Sequence, residues 1–258
     1  MRVLVPIKLN LDTSQIKFDE RTGEPIYEAI PKKIGDADKC ALEEALKLKE
    51  SVGASVTVVT IGYSKDHQRI IRDAYAMGAD EGYIIKMDGW DVVANISIAN
   101  ILKIFIDKHG PYDVILMGQW SNDTHSSVIH SILAGLLDYP LIPGVDALEF
   151  KDGSFRGVVN MEDGVYVFES SPPVIISVSS EANLPRIPTL KDILKAKRKE
   201  IVEEDISNYK VDYESVDVTS VSKYAVERKK IIFEVDDEEK LEKALDTVID
   251  VLKGEGIL

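Results

Sequence analysis

The residues most able to do chemistry lie between 117 and 140, in "MGQWSNDTHSSVIHSILAGLLDYP", where Asp123, His125 and Ser126 crowd one short loop. A nucleophile system needs a base aimed at the hydroxyl, and near neighbours in a loop rarely achieve that geometry. No G-x-S-x-G elbow accompanies them, so hydrolysis is disfavoured. His125 and His130 are five residues apart, whereas a helical metal pair stacks at i and i+4; no catalytic residue and no metal ligand is assigned. Cys40, the single cysteine, excludes an internal disulfide framework. It precedes Ala41 and Leu42 in an apolar run and reads as core. What remains for the loop is binding, with Thr124, Ser126 and Ser127 supplying hydroxyls.

The elements that position this loop follow from periodicity. Apolar runs of strand length, "RVLVPI" at 2–7, "SVTVVTIG" at 55–62, "EGYIIKM" at 81–87, "YDVILMG" at 112–118 and "PVIISVS" at 173–179, alternate with helix-period segments. Continuous apolar strands separated by helices predict a doubly wound, mostly parallel α/β sheet of the Rossmann-like type. One helix presents Ala41, Leu42, Ala45, Leu46 and Leu48 and stops at Gly53; the next starts at the cap candidate Ser64, buries Ile70, Ile71, Ala74 and Met77, and stops at Gly78. "DVVANISIANILKIFIDKHG" and "SSVIHSILAGLLDYP" complete the set. Turn signals in "KDG" and "EDG" predict a small antiparallel insertion near 143–170. A proline-broken connector and short basic helix occupy 183–204, and an arm over 205–258 ends in a predicted strand, "KKIIFEV", and a helix, "DDEEKLEKALDTVIDVLKG".

With the first strand central, a 3-2-1-4-5 strand order reverses between strands 1 and 4, and ligands bind at the carboxyl ends there. Those ends are the segment after Ile7 and the loop after Met117. Residues 9–37 form a connection far longer than the turn requires, and "GDAD" at 35–38 opens a helix whose N-terminus suits an anion. No G-x-G-x-x-G follows strand 1 and no P-loop occurs, which demotes the ordinary dinucleotide and NTPase readings. With 31 basic against 45 acidic residues, the surface repels nucleic acid. The N-terminus has too short an apolar run for a signal peptide or membrane span, and a cytoplasmic location is expected.

Several segments together resemble the β subunit of electron transfer flavoprotein: "RVLVPIK" with "IKFDERTGEPI", "DKCALEEALKLKE", "AYAMGADEGYII" and above all "NLPRIPTLKDILKAKRKEI" at 183–201. The resemblance covers nearly the whole chain. It implies an electron carrier rather than an enzyme, paired with an α subunit that holds the redox-active FAD, while this chain binds AMP or a second FAD. It implies nucleotide contacts at Pro6, Ile7 and Lys8, at Gly35, Asp36, Ala37 and Asp38, at Ile61, and along the loop from Gly118, including Gln119, Asp123, Thr124, His125, Ser126 and Ser127. Residues 183–199 become a recognition loop anchored by Leu190 and oriented by Lys195, Lys197 and Arg198. The implied partners are acyl-CoA or other dehydrogenases, as in fatty acid oxidation, and a downstream quinone oxidoreductase or ferredoxin. The tail beyond 205 would pack on the α subunit. The chain departs from the family where "GQWSND" replaces Gly-Arg/Lys-Gln-Ala-Ile-Asp and "GDAD" replaces Asn-Pro-Phe, so its side-chain readout must differ. A stand-alone adenine-nucleotide sensor on the same fold is the competing expectation.

Overall fold

The structure is a computed structural model that describes residues 1–27, 30–89, 93–211, 214–217, 219 and 231–257. The chain divides into two units, Met1–Val221 and Ser222–Leu258.

In the first unit, β1 (Arg2–Pro6) leads through a hairpin of β2 (Leu9–Leu11) and β3 (Lys32–Ile34) into α1 (Asp36–Val52). There follow β4 (Ser55–Ile61), α2 (Lys65–Met77), β5 (Glu81–Lys86), α3 (Asn95–His109), β6 (Val114–Gly118) and α4 (Ile129–Leu137). Next come β7 (Leu141–Val145), β8 (Ala147–Lys151), β9 (Ser154–Met161), β10 (Gly164–Ser170), β11 (Val174–Val178), α5 (Leu190–Ala196) and β12 (Val202–Asp205). The seven-stranded sheet runs β12-β5-β4-β1-β6-β11-β7, with every pair parallel. Its five central strands are the five read from the sequence, in the expected 3-2-1-4-5 order.

Helix boundaries obey their caps. The Ser64 side chain accepts from the His67 amide at the start of α2, and Gly53 closes α1 in the left-handed conformation. Leu42, Leu46, Ile70, Ile71 and Ala74 join one core against one face of the sheet. Ile101, Leu102, Phe105 and Leu133 join the core against the other face. Crossovers after β1 and β4 therefore cover one face and those after β5 and β6 the other, and the reversal falls between β1 and β6.

Three features depart from the sequence reading. Strand β7 extends the parallel sheet beside β11, ahead of the antiparallel β8–β9–β10 insertion; its Pro143 and Gly144 interrupt the strand pattern, and an edge position tolerates both. Strand β12, "VEED", adds to β5 at the opposite edge, its acidic residues suiting an exposed edge. Residues 231–235 are not a strand, although their composition invites one; Lys229 and Lys230, which begin the expected strand, lie outside the described residues, as does Trp90. In the second unit α6 (Glu238–Gly254) forms as expected, capped by Asp237. Among the described residues no helix is long and apolar enough to cross a membrane.

Candidate functional site

At the reversal between β1 and β6 a cleft of about 200 Å³ opens at the strand carboxyl ends, where a doubly wound sheet places its ligands. The end of β1 contributes Pro6, Ile7 and Lys8; α1 contributes Asp38; β4 contributes Ile61; β6 and its loop contribute Gly118, Gln119, Asp123, Thr124, Ser126 and Ser127. All of these were singled out from the sequence. Gly35, Asp36 and Ala37 do not line the cleft, nor does His125.

Asp38 is the pivot of the site. Its Oδ2 accepts from the Lys8 amide at 2.8 Å, and the Gly118 amide also donates to its carboxylate, so one side chain ties the ends of β1 and β6 together. Gly118 permits this contact, because a Cβ there would collide with Oδ1 and the backbone of Asp38. Burial pushes the Asp38 carboxyl up to about 7, against the lowering influence of the Lys8 amide and charge. Lys8 Nζ lies 2.6 Å from Asp123 Oδ1; burial raises Asp123, but the charge and hydrogen bond of Lys8 outweigh it and hold that carboxyl below its ordinary value.

The first amide of α1 is already engaged. Asn122 Oδ1 accepts from the Asp36 amide at 2.9 Å while Asn122 Nδ2 donates to Asp36 Oδ2 at 2.8 Å, and Lys33 Nζ sits 3.0 Å from Asp36 Oδ1. The start of α4 is different: Val128 is its N-cap and offers no side-chain cap. Thr124, Ser126 and Ser127 thus lie in the loop ahead of the helix rather than in its first turn. His125 and Ser127 hold left-handed φ values of 52° and 51°, a conformation of order 1 kcal/mol or more uphill for such residues and concentrated at functional loops. His125 stacks on Trp120 with ring centroids 4.4 Å apart.

The opposite wall is apolar and came mostly unannounced. Val59 from β4, Ile98 and Leu102 from α3, and Ile129 from α4 line it, a surface suited to the face of a purine. Two polar groups stand among them: Thr60 Oγ1 and His130 Nε2 are buried without a close hydrogen-bond partner among the described residues. Burial, opposed by the Gln119 backbone, lowers the His130 pKa and keeps the ring neutral. Ile98 and Leu102 sit on a helix face that the sequence marked only as apolar, and nothing in periodicity separates a cleft wall from a core.

A second feature lies over α1. Arg186 meets Glu43 side-on through Nε and Nη2, with Nη2–Oε1 at 2.8 Å, and its Nη1 is 2.6 Å from Glu50 Oε1; Asn183 Nδ2 donates to the Cys40 carbonyl at 3.0 Å. Beyond that anchor Leu184, Ile187 and Leu190 are 95%, 92% and 72% exposed. The loop ends in α5, started by a capping box between Thr189 and Asp192. Lys195, Lys197 and Arg198 are exposed. Lys199, by contrast, donates to the Ala79 carbonyl at 2.6 Å and belongs to the packing of the loop.

The model of the electron transfer flavoprotein domain family matches residues 26–208, which contain α1, the cleft loop and the Arg186-anchored segment. The chain belongs to this family. Among relatives, the electron transfer flavoprotein subunit beta of Thermoanaerobacterium thermosaccharolyticum is 33% identical over 202 residues, 78% of this chain and 77% of its own. The subunit beta of Bacillus subtilis is 30% identical over 218 residues, 84% of each chain. The caffeyl-CoA reductase-Etf complex subunit CarD of Acetobacterium woodii is 31% identical over 197 residues, 76% of this chain and 75% of its own. As a member of the electron transfer flavoprotein β-subunit family, the chain is an electron carrier subunit rather than an enzyme in its own right.

Proposed function

We propose that the chain is the β subunit of a heterodimeric electron carrier, that its cleft holds the adenine nucleotide part of AMP or of a second FAD, and that its partner α subunit holds the redox-active FAD. The observation that carries this reading is the cleft itself, at the reversal of a sheet whose family is electron transfer flavoprotein. Its lining fits such a group: an apolar wall for the purine, hydroxyls at Thr124, Ser126 and Ser127 for sugar or phosphate, and the unpartnered Thr60 Oγ1 as a further polar contact. The flavin would supply the electron chemistry; the protein contributes binding, orientation and electrostatics.

In this reading Leu184, Ile187 and Leu190 form the apolar tip that meets an electron-donating dehydrogenase, and Lys195, Lys197 and Arg198 orient the approach of an acidic partner. Acyl-CoA dehydrogenases are the leading donors, and a quinone oxidoreductase or ferredoxin the acceptor. The helix α6 leaves Leu241, Leu245 and Val248 exposed, an apolar stripe fit to pack on the α subunit. Coexpression with the candidate α subunit tests the assignment: a yellow complex in equal amounts is expected, whereas a chain that purifies alone and colourless in its presence would favour the sensor reading.

A further inference from the structure

We propose that Asp38 makes the cleft select its ligand by charge: an anionic nucleotide enters together with one proton from solvent, which lodges on the Asp38 carboxylate, whereas an uncharged nucleoside enters without one. The inference rests on reading the cleft as an adenine nucleotide site and adds how that site responds to the charge of its occupant.

Sites for phosphate ordinarily present free cations or free backbone amides. Here the two amides at the strand ends, those of Lys8 and Gly118, are already given to Asp38, so the uncapped start of α4, which carries no charged side chain, is left as the backbone donor to an anion. From the end of β1 the cleft receives one ammonium, Lys8, and that ammonium is paired with Asp123 from the loop after β6. Helix α1 adds Asp38; its Asp36 is turned to Lys33 and Asn122. From β4 comes Thr60, uncharged, and from α3 come Asn95, Ile98 and Leu102, also uncharged; α4 brings His130, kept neutral by burial. Among the described residues the lining therefore holds two carboxylates against one ammonium, with no cation free to meet a phosphate.

A phosphate in so small a space adds a further negative charge, and like charges nearby disfavour the ionised form of a carboxyl. Of the two acids, Asp123 keeps its ammonium and stays ionised, so Asp38 is the one that yields. Already poised near neutrality by burial, it needs little further persuasion. Once protonated, it removes one charge from the cleft and turns from a pure acceptor into a hydroxyl donor.

The test is titration calorimetry of the full-length chain, dialysed free of small molecules, with adenosine, AMP and ADP-ribose between about pH 6.5 and 8.5 in two buffers of different ionisation heat. AMP has a phosphate that itself titrates near pH 6; ADP-ribose has none in this range and therefore decides the outcome. Uptake approaching one proton per ADP-ribose is expected above neutrality, with affinity falling up to about tenfold per pH unit, while adenosine binds without uptake and without pH dependence. In D38N the uptake disappears and ADP-ribose binds more tightly at the alkaline end. Adenosine binding beside an ADP-ribose affinity that is flat with pH, uptake that survives in D38N, or anions that fail to bind even at the acid end would each overturn the inference and leave the nucleotide reading standing. Failure of all three ligands to bind would overturn the nucleotide reading, and the inference with it. Should D38N not fold, the two-buffer comparison on the unaltered chain decides alone.

Discussion

Asp38 joins two strands across the point where the sheet reverses, and its environment makes two predictions at the scale of single residues. Gly118→Ala would drive a methyl group into Asp38 and the start of α1. The expected cost is about 1–3 kcal/mol of stability, read as a lower urea midpoint with an unchanged slope. The second prediction concerns pH. The folded pKa of Asp38 is about 7 against an ordinary 3.8, so the native state binds the proton more tightly than the unfolded chain, and stability falls as pH rises between those values. Melting curves of the parent and D38N should accordingly diverge with pH, the parent losing ground to the variant from about pH 4 to 7. A difference that stays constant over that window would show that Asp38 does not titrate there. Asp38 was named from the sequence because it stands at a helix start beside the switch point; its bond to two strand ends was not legible, since only the folded chain brings residues 8, 38 and 118 together.

Among the elements, the loop before α5 is tied to α1 by Asn183 and by the ion pairs of Arg186. The Glu43 carboxyl is raised by burial, but the hydrogen bonds and charge of Arg186 outweigh that and hold it below its ordinary value. Arg186→Ala leaves Glu43 largely buried without its guanidinium, holding only the backbone amide of residue 186, at an expected cost of about 1–3 kcal/mol after allowing for the part-exposed guanidinium, visible as a lower melting temperature and faster proteolysis at 184–190. Leu190→Asp acts on the same loop in the opposite way: the side chain is exposed, so melting should not change, while reduction by a dehydrogenase partner should slow about tenfold or more, the effect of losing an apolar anchor. Equal rates for the two proteins would remove Leu190 from the docking surface. Period and punctuation made most elements readable: Ser64, Gly53 and Gly78 mark helix ends that the structure keeps. Where the reading failed, neighbours outside the segment decided. "VEED" becomes a strand because β5 offers it an edge, and "IIFEV" does not although its side chains favour one, because a strand exists only as part of a ladder.

At the scale of the whole molecule, the cleft and the Arg186-anchored loop of the first unit and the apolar stripe of α6 in the second supply the surfaces that the proposed role calls for: one for a nucleotide, one for a donor and one for a flavin-bearing partner. The net charge of −14 disfavours contact with a phosphate backbone, and the exposed Lys195, Lys197 and Arg198 stand out against that background. The cleft position was legible because strand order alone fixes the switch point; its occupant was not, because "GQWSND" and "GDAD" replace the residues whose side chains would have named it. The most direct measurement is therefore mass spectrometry of the small molecules released by denaturing the chain purified with its α partner. One FAD together with one AMP, or two FAD, per heterodimer is the result predicted. A single FAD with no second adenine nucleotide would contradict the account, leaving the cleft beside Asp38 without the ligand assigned to it.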